Sequence, residues 1–216
     1  TRRVFSLFSR LSTLSSIPAR RIHSPSLSRS ILSSSLRVIF FATVAGRSEL
    51  SGNHTDHNHG CVVAASISLD IIAIASATDD GIVRVKSEGF PEDIVDINAY
   101  NAPVESKFGT SESIIAGMCA GFRKNGHKTG GFVAYTTSSV LKGSGLSSSA
   151  AFEDMIGTIE SHLYNDGRVD NVEIAKLAQY SENVFFGKPC GLMDQVACAY
   201  GGAVAIDFKD TKNPII

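Results

Sequence analysis

The first half of the chain alternates short apolar runs with polar turns, whereas the second half places apolar residues at helical spacing. The first β-like run is Leu36–Ala45, and a Gly-rich polar turn at residues 46–60 follows it. The Val- and Ile-rich stretch Cys61–Ala77 predicts two strands, and Gly81–Lys86 predicts another after an Asp-Asp-Gly turn. This half of the chain is therefore expected to form a sheet.

Helices are predicted mainly in the second half. Apolar residues lie on one side of Ser111–Lys124, and a similar stripe begins after the Gly/Ser loop 143–149 and continues to Leu163. The other predicted elements are a strand over Gly131–Val140, a helix over Val172–Phe186, a short segment at 191–199 and a strand over Ala203–Phe208. Strands first and interleaved helices later indicate an α+β domain with helices packed on a sheet.

Charge divides the chain into two unlike parts. Its 216 residues carry a net charge of −1, but residues 1–46 contain seven Arg and no acidic residue. The remaining 13 Lys and Arg accompany all 21 Asp and Glu, which gives the body a net charge of −8. An acidic body argues against a nucleic-acid partner, because phosphate binding needs a basic face.

The segment 1–37 has a composition of its own, with twelve Ser and seven Arg. This is typical of an organellar transit peptide, and a disordered or artefactual extension is the alternative. Neither is expected to carry chemistry. The predicted domain is therefore residues 38–216.

No membrane partner is expected either. The long apolar stretch Cys61–Ala77 is interrupted by Ser66, Ser68 and Asp70, as in strands of a core. The four cysteines form no C-x-x-C pair, which favours reduced thiols. The expected location is the cytoplasm, or a plastid or mitochondrion if the leader is a transit peptide.

One candidate site is the run Val140–Ala151, in which a strand leads into a Gly/Ser loop and a helix. Glycine lets a backbone approach a phosphate, and the free amides at a helix N-terminus attract anions. The loop lacks the Walker pattern. An ordinary Ser N-cap after a flexible turn is the alternative.

A second candidate is Gly46–Gly60. Arg47 could offset phosphate charge, and Asn53, His54 and Asp56 could hydrogen-bond sugar hydroxyls. The alternatives are a metal site and a plain surface cluster, both built on the three histidines of this stretch, His54, His57 and His59.

The third candidate is Ser181–Gln195. Glu182 lies late in a predicted helix, and Asp194 follows a Gly- and Pro-containing turn. One carboxylate could hold Mg²⁺ and the other could accept the proton of a hydroxyl. Two solvated acids are the alternative.

In this order, the three stretches resemble the GHMP small-molecule kinases, and most closely the galactokinases. Gly46-Arg47 with Gly52–Asp56 resembles the galactokinase signature, Gly143–Ala150 the ATP loop, and Cys190–Gln195 the catalytic stretch, with Glu182 ahead of it. The resemblance covers about residues 38–210. It implies the GHMP kinase N-terminal domain, a mixed sheet packed with helices, with the C-terminal domain missing.

The resemblance implies ATP-dependent phosphorylation of the anomeric C1 hydroxyl of galactose, giving galactose 1-phosphate and ADP, by a monomer. By that comparison Asp194 is the base, Arg47 stabilises the transferring phosphoryl group, and Ser149 and Glu182 hold Mg²⁺. The expected triphosphate site is Gly143, Ser144, Gly145, Leu146, Ser147, Ser148 and Ser149. The expected sugar site is Asn53, His54, Thr55, Asp56 and Gly191. A sugar pocket beside the histidines makes the metal interpretation of that cluster the weaker one.

Three departures from the family pattern qualify this expectation. Asn53 stands where most galactokinases have Glu, so a neutral amide replaces a charged acceptor for a sugar hydroxyl, and this position bears on the preferred epimer or C6 group. Ala45 replaces a usual Pro. The chain is also about half the family's length, so the domain that closes the cleft and supplies a sugar-contacting Tyr is expected to be missing, and this half alone is expected to hold most but not all of the active site.

Three other hypotheses are kept. Asn53 gives local support to a related sugar-1-kinase such as a galacturonokinase. A galactokinase-like sugar sensor is disfavoured by the intact Ser149-Ala150 pair and by Asp194, and a mis-assembled gene product is the remaining one.

Overall fold

Alternating apolar residues build a six-stranded mixed sheet in the computed structural model, which describes residues 39–216. The strands are β1 (Ile39–Ser51), β2 (Cys61–Thr78), β3 (Ile82–Ser87), β4 (Glu92–Asp96), β5 (Gly131–Ser138) and β6 (Ala203–Asp207). Their order is β1-β2-β5-β3-β4, and β6 pairs with the first part of β2. The pair β3–β5 is parallel and the other pairs are antiparallel. The leader prediction for residues 1–37 and the first residues of the predicted run Leu36–Ala45 lie outside the described residues.

Helices cover one face of this sheet. They are α1 (Ser111–Lys124), α2 (Ser148–Tyr164), α3 (Asn171–Tyr180) and α4 (Met193–Tyr200), and a π-helical turn, Ser181–Phe186, extends α3. Short 3₁₀ turns lie at Thr55–Asn58 and Glu105–Lys107. Along β2, Ile71, Ala73 and Ala75 are buried in the same core as helical residues, whereas the intervening Ile72 is exposed. The predicted α+β architecture is confirmed.

Two helices begin where their sequence provides a cap. The Thr110 side chain accepts a hydrogen bond from the amide of Ser113 at the start of α1, and Asp170 accepts one from the amide of Glu173 at the start of α3. Such caps satisfy amides that lack a partner within the helix. The two caps therefore fix where α1 and α3 begin.

The prediction of two strands over Cys61–Ala77 is wrong, because β2 is continuous. Its polar interruption is a bulge region in the pairing with β1, not a turn. The amide of Asp70 donates to Ser139 Oγ at 2.9 Å, and the Asp70 carboxylate accepts a hydrogen bond from Thr43 at 3.0 Å. Residues distant in the sequence therefore provide hydrogen-bond partners for Asp70, one of the polar residues that interrupt this apolar stretch.

Three other elements differ from the prediction. The predicted turn 46–60 is strand up to Ser51, because β1 continues along β2. The helix expected over Val172–Phe186 changes to π geometry at Ser181. The strand β4, which has no counterpart in the prediction, pairs with β3.

Among residues 39–216, no helix is both long and apolar enough to cross a membrane.

Candidate active site

Asp194 and Arg47 form a two-pronged ion pair at the start of α4. Arg47 Nε donates to Asp194 Oδ1 at 2.7 Å, and Arg47 Nη2 donates to Asp194 Oδ2 at 2.8 Å. Ser147 Oγ also donates to Oδ2, at 2.6 Å. Bidentate guanidinium–carboxylate pairs fix both side chains in one geometry. The interpretation of Asp194 as a freely solvated acid is therefore wrong.

This environment keeps Asp194 ionised. Burial raises the pKa of Asp194, but hydrogen bonds from Arg47 and Ser147 together with the Arg47 charge outweigh it, so the pKa lies below its usual value. Its position in the first turn of α4 also favours the anion, because a helix N-terminus carries partial positive charge. Asp194 is a carboxylate that is held in place and available as a proton acceptor.

The Gly/Ser loop lies between β5 and α2 with its glycines facing open space. Gly143 and Gly145 have φ angles of 76° and 77°, and a Cβ on either would meet nothing within 4 Å. Ser147, at φ 59°, precedes α2 without capping it, because its hydroxyl donates to Asp194. The alternative of an ordinary Ser N-cap is thus wrong, and the first amides of α2 remain available for an anion.

Strand β1 anchors this loop. The amide of Arg47 donates to the Leu146 carbonyl at 3.2 Å, and Arg47 Nη1 donates to the Gly145 carbonyl at 2.9 Å. The residue before it, Gly46, has no room for a side chain, since a Cβ would lie 2.8 Å from the same Leu146 oxygen. Arg47 thereby joins the loop to Asp194.

The stretch after β1 places Asp56 directly beside α4. Asp56 is buried, and its Oδ2 accepts a hydrogen bond from the amide of Met193 at 3.1 Å. A Cβ on Gly191 would overlap the Asp56 carboxylate, so this close approach requires glycine. Asn53 and His54, with φ angles of 56° and 53°, turn the chain outward and are exposed. Thr55 Oγ1 donates to the Gly52 carbonyl at 2.8 Å, which closes that turn.

The three histidines of this stretch have different partners. His54 pairs with Glu49, His57 Nδ1 lies 3.2 Å from Asp56 Oδ1, and His59 Nδ1 lies 3.1 Å from the Lys209 carbonyl. Within residues 39–216, no group of three His, Cys, Asp or Glu side chains is arranged to hold a metal ion.

Ser149 and Glu182 meet at the expected metal position. Ser149 Oγ donates to Glu182 Oε1 at 3.4 Å, and Glu182 is only 2% exposed. A hydroxyl and a carboxylate are hard oxygen donors of the kind Mg²⁺ takes from proteins, with phosphate oxygens and water completing its shell. The two residues fit a Mg²⁺ ion that arrives with a triphosphate.

Gln195 also belongs to the site, although no role is predicted from the sequence for this last residue of the stretch Cys190–Gln195. Its Nε2 donates to Glu182 Oε2 at 2.9 Å and to Glu153 Oε2 at 3.3 Å, deep in the core. Burial, followed by the charge of Glu182, raises the pKa of Glu153 well above its usual value. The signals available in the sequence were the position of Gln195 next to Asp194 and that of Glu153 one helical turn after Ser149.

The loop residues predicted to bind triphosphate do not all point the same way. Ser144 Oγ donates to the Leu141 carbonyl within its own loop at 2.6 Å. Ser147 faces Asp194 and Ser149 faces Glu182. Leu146 contributes its backbone to the contact with β1.

Two family models match the stretches of the chain that form this site. The family model for the GHMP kinases N-terminal domain matches residues 113–202, and the model for the galactokinase galactose-binding signature matches residues 32–77. A galactokinase of Streptomyces coelicolor is 36% identical over 169 residues, which is 76% of this chain and 43% of that protein.

The chain belongs to the GHMP kinase family, among the galactokinases.

Other relatives agree with this assignment. A galactokinase of Lactobacillus helveticus is 37% identical over 176 residues, covering 80% of this chain and 44% of the relative. The crystal structure of Lactococcus lactis galactokinase complexed with galactose superposes with a TM-score of 0.74 at 27% identity, covering 82% of this chain and 46% of that one. The Methanococcus jannaschii mevalonate kinase shares the fold, with a TM-score of 0.65 at 18% identity over 82% of this chain and 55% of that one.

The chain spans less than half the length of the curated galactokinases it matches, 43% and 39% for the first two. The two matched family models together include Arg47, the Gly/Ser loop and Asp194. The regions that the chain shares with those galactokinases do not extend over the remainder of their length.

Proposed function

We propose that the protein containing this chain transfers the terminal phosphoryl group of ATP to the C1 hydroxyl of galactose, giving galactose 1-phosphate and ADP. The observation that carries the proposal is the Arg47–Asp194 pair. The same Arg47 side chain, on strand β1, also donates to the Gly145 carbonyl of the Gly/Ser loop. That pair brings a proton acceptor and a fixed cation beside a helix N-terminus suited to phosphate. Phosphoryl transfer needs positioning and charge stabilisation of this kind.

In the proposed reaction Asp194 accepts the proton of the C1 hydroxyl as the sugar oxygen attacks phosphorus. Arg47 keeps Asp194 ionised until then and offsets negative charge on the transferring group. The amides at the start of α2 hold the phosphates of ATP. Mg²⁺, held by Ser149 and Glu182, would neutralise phosphate charge when bound.

The sugar side of the proposal rests on Asp56. Its buried carboxylate is fixed by the Met193 amide, one residue before Asp194, so an acceptor for sugar hydroxyls lies next to the proposed base. Gly191 allows that carboxylate to approach the backbone, because a Cβ there would overlap it. Asn53, His54 and Thr55 would complete the contacts at the exposed side of the same turn.

Asn53 favours one second candidate, a sugar-1-kinase acting on a uronic acid such as galacturonate. A neutral amide replaces a carboxylate there, and a carboxylate would repel an acidic sugar. The same fold and chemistry at Asp194 would serve either substrate.

A panel of sugars tested with the full-length protein and Mg²⁺-ATP decides between them. The expected result is a higher kcat/KM for galactose than for galacturonate. Phosphorylation of galacturonate but not galactose would replace the first proposal with the second. The variant Asn53→Glu is the matched test of the position, and it should further disfavour galacturonate.

A further inference from the structure

The carboxylate of Glu182 has a different partner on each oxygen. Oε2 accepts the hydrogen bond from Gln195 Nε2 at 2.9 Å. Oε1, the oxygen that faces Ser149, also accepts a hydrogen bond from the ammonium of Lys188 at 3.0 Å. Ser149 and Lys188 therefore converge on the one oxygen that a metal ion would use.

The backbone directs Lys188 toward this oxygen. The amide of Lys188 donates to the Glu182 carbonyl at 3.1 Å, which folds the chain back over the π-turn. The fold-back occurs at Gly187, whose φ is 79° and whose missing Cβ leaves room for the ring of Phe108. The Lys188 side chain itself is 61% exposed, against 3% for Glu182. It can leave the carboxylate without disturbing the core.

Glu182 needs a cation at this position. A buried carboxylate without a compensating charge is strongly unfavourable, and Lys188 is the cation that pairs with it among the described residues. An ammonium and a divalent cation repel each other, so both cannot share Oε1. One must leave when the other binds.

We propose that Lys188 is the resident counter-cation of Glu182, and that the divalent metal of the metal–nucleotide complex displaces its ammonium from Oε1. Lys188 thus competes with the metal and weakens its binding, while it compensates Glu182 whenever the metal is absent. The inference rests on the proposed function, because it takes Ser149 and Glu182 as the metal position.

The test measures metal binding without any turnover. Mn²⁺ is titrated into the full-length protein with a non-hydrolysable ATP analogue and no sugar, and free Mn²⁺ is followed by electron paramagnetic resonance. We expect Lys188→Met to bind Mn²⁺ about fivefold more tightly than the wild type, the factor that about 1 kcal/mol of ion pairing represents. Lys188→Arg, which keeps the charge, should not tighten binding.

Two further variants make the result decisive. Lys128→Met removes the same charge from an exposed lysine on the connection between α1 and β5, and it should bind Mn²⁺ like the wild type. Lys188→Gln keeps a hydrogen-bond donor for Oε1 without the charge, and it should show the same tightening if Lys188→Met does not fold.

The outcomes separate this inference from the proposed function. Unchanged or weaker Mn²⁺ binding in the neutral Lys188 variants would overturn the role of Lys188 while leaving the nucleotide site intact. A wild-type protein that binds no Mn²⁺–nucleotide complex would overturn both.

Discussion

Asp194 owes its geometry to three hydrogen bonds from two residues that are far apart in the sequence. Arg47 holds one oxygen through Nε and the other through Nη2, and Ser147 adds a hydrogen bond to the second oxygen. A carboxylate has about four acceptor positions, so these bonds leave room for a substrate hydroxyl. The proposed proton transfer therefore depends on the two side chains that hold Asp194, Arg47 and Ser147.

Ser147 is expected to act through Asp194, not through ATP. In Ser147→Ala the 2.6 Å hydrogen bond is lost, and kcat should fall between about tenfold and about a hundredfold, because a hydrogen bond to a charged group contributes about 1.5–3 kcal/mol. The KM for ATP should change much less. Steady-state kinetics of the full-length protein measure both quantities.

Ser144→Ala is the matched control for that variant. Ser144 lies in the same loop, but its hydroxyl donates to the Leu141 carbonyl. Equal losses of kcat in the two variants would show that Ser147 serves the loop in general and does not position Asp194.

At the scale of elements, the Gly/Ser loop depends on strand β1. Gly46 and Arg47 lie at an irregularity in the β1–β2 pairing, where the backbone of β1 is free to bond Leu146. The sheet edge therefore determines where the loop and the N-terminus of α2 lie relative to Asp194.

Gly46→Ala should move the loop away from β1. Its new Cβ would lie 2.8 Å from the Leu146 oxygen and 3.1 Å from a Val140 methyl group, and backbone cannot yield as a flexible side chain does. We expect the Kd for an ATP analogue, measured by calorimetry, to rise by at least about tenfold, the factor for about 1.4 kcal/mol.

A second glycine variant distinguishes this effect from a general response to added volume. Gly121→Ala in α1 would meet only side-chain atoms, Leu177 Cδ2 at 3.1 Å and Tyr180 Cδ1 at 3.3 Å. Its nucleotide affinity should stay at the wild-type value. Similar losses in both variants would contradict the role assigned to Gly46.

The elements that could be predicted from the sequence are those with a strong local period. The helix α1 has an apolar stripe, a Thr cap and basic residues in its last turn, and its predicted bounds, Ser111–Lys124, are the observed ones. The strand β4 has a single buried residue, Val95, among acidic neighbours, so its sequence carries almost no strand signal. Its place is fixed by pairing with β3.

The remaining differences arise from contacts between distant residues. The π-turn at Ser181 depends on a hydrogen bond from its hydroxyl to the Ile114 carbonyl, and on the absence of a side chain at Gly117. Nothing in the local apolar period reveals either. The site shows the same division, because the motif identified Asp194 and Glu182, whereas the partnerships of Ser147 and Lys188 with them became visible only in three dimensions.

At the scale of the whole molecule, stability depends on a buried acid away from the site. Glu160 of α2 accepts a hydrogen bond from Thr129 at 3.0 Å, and its other oxygen has no partner in the described part of the chain. Burial raises the pKa of Glu160 from 4.5 to about 7. The folded protein therefore retains this proton at pH values where the unfolded chain has lost it.

The stabilising effect of that proton should disappear as the pH rises. It is fully present below pH 4.5 and is lost by about pH 7, and the change is about 3 kcal/mol over that range. Glu160→Gln cannot titrate. The free energy of unfolding of the wild type relative to Glu160→Gln, measured with denaturant, should therefore fall by that amount between these pH values.

The exposed acid Glu92 on β4 supplies the control. Glu92→Gln removes the same charge, and its stability relative to the wild type should not follow this pH course. A difference between wild type and Glu160→Gln that stays constant from pH 4.5 to pH 7 would contradict the buried, protonated state of Glu160.

The most direct test of the central claim is phosphorus NMR of the product that the full-length protein forms from galactose and Mg²⁺-ATP. The wild type is expected to give galactose 1-phosphate and ADP in equal amounts. Asp194→Asn is expected to give no product, although it should still bind an ATP analogue nearly as tightly as the wild type. Phosphate on any other hydroxyl, or turnover by Asp194→Asn at the wild-type rate, would contradict the assignment of Asp194 as the base for C1 phosphorylation.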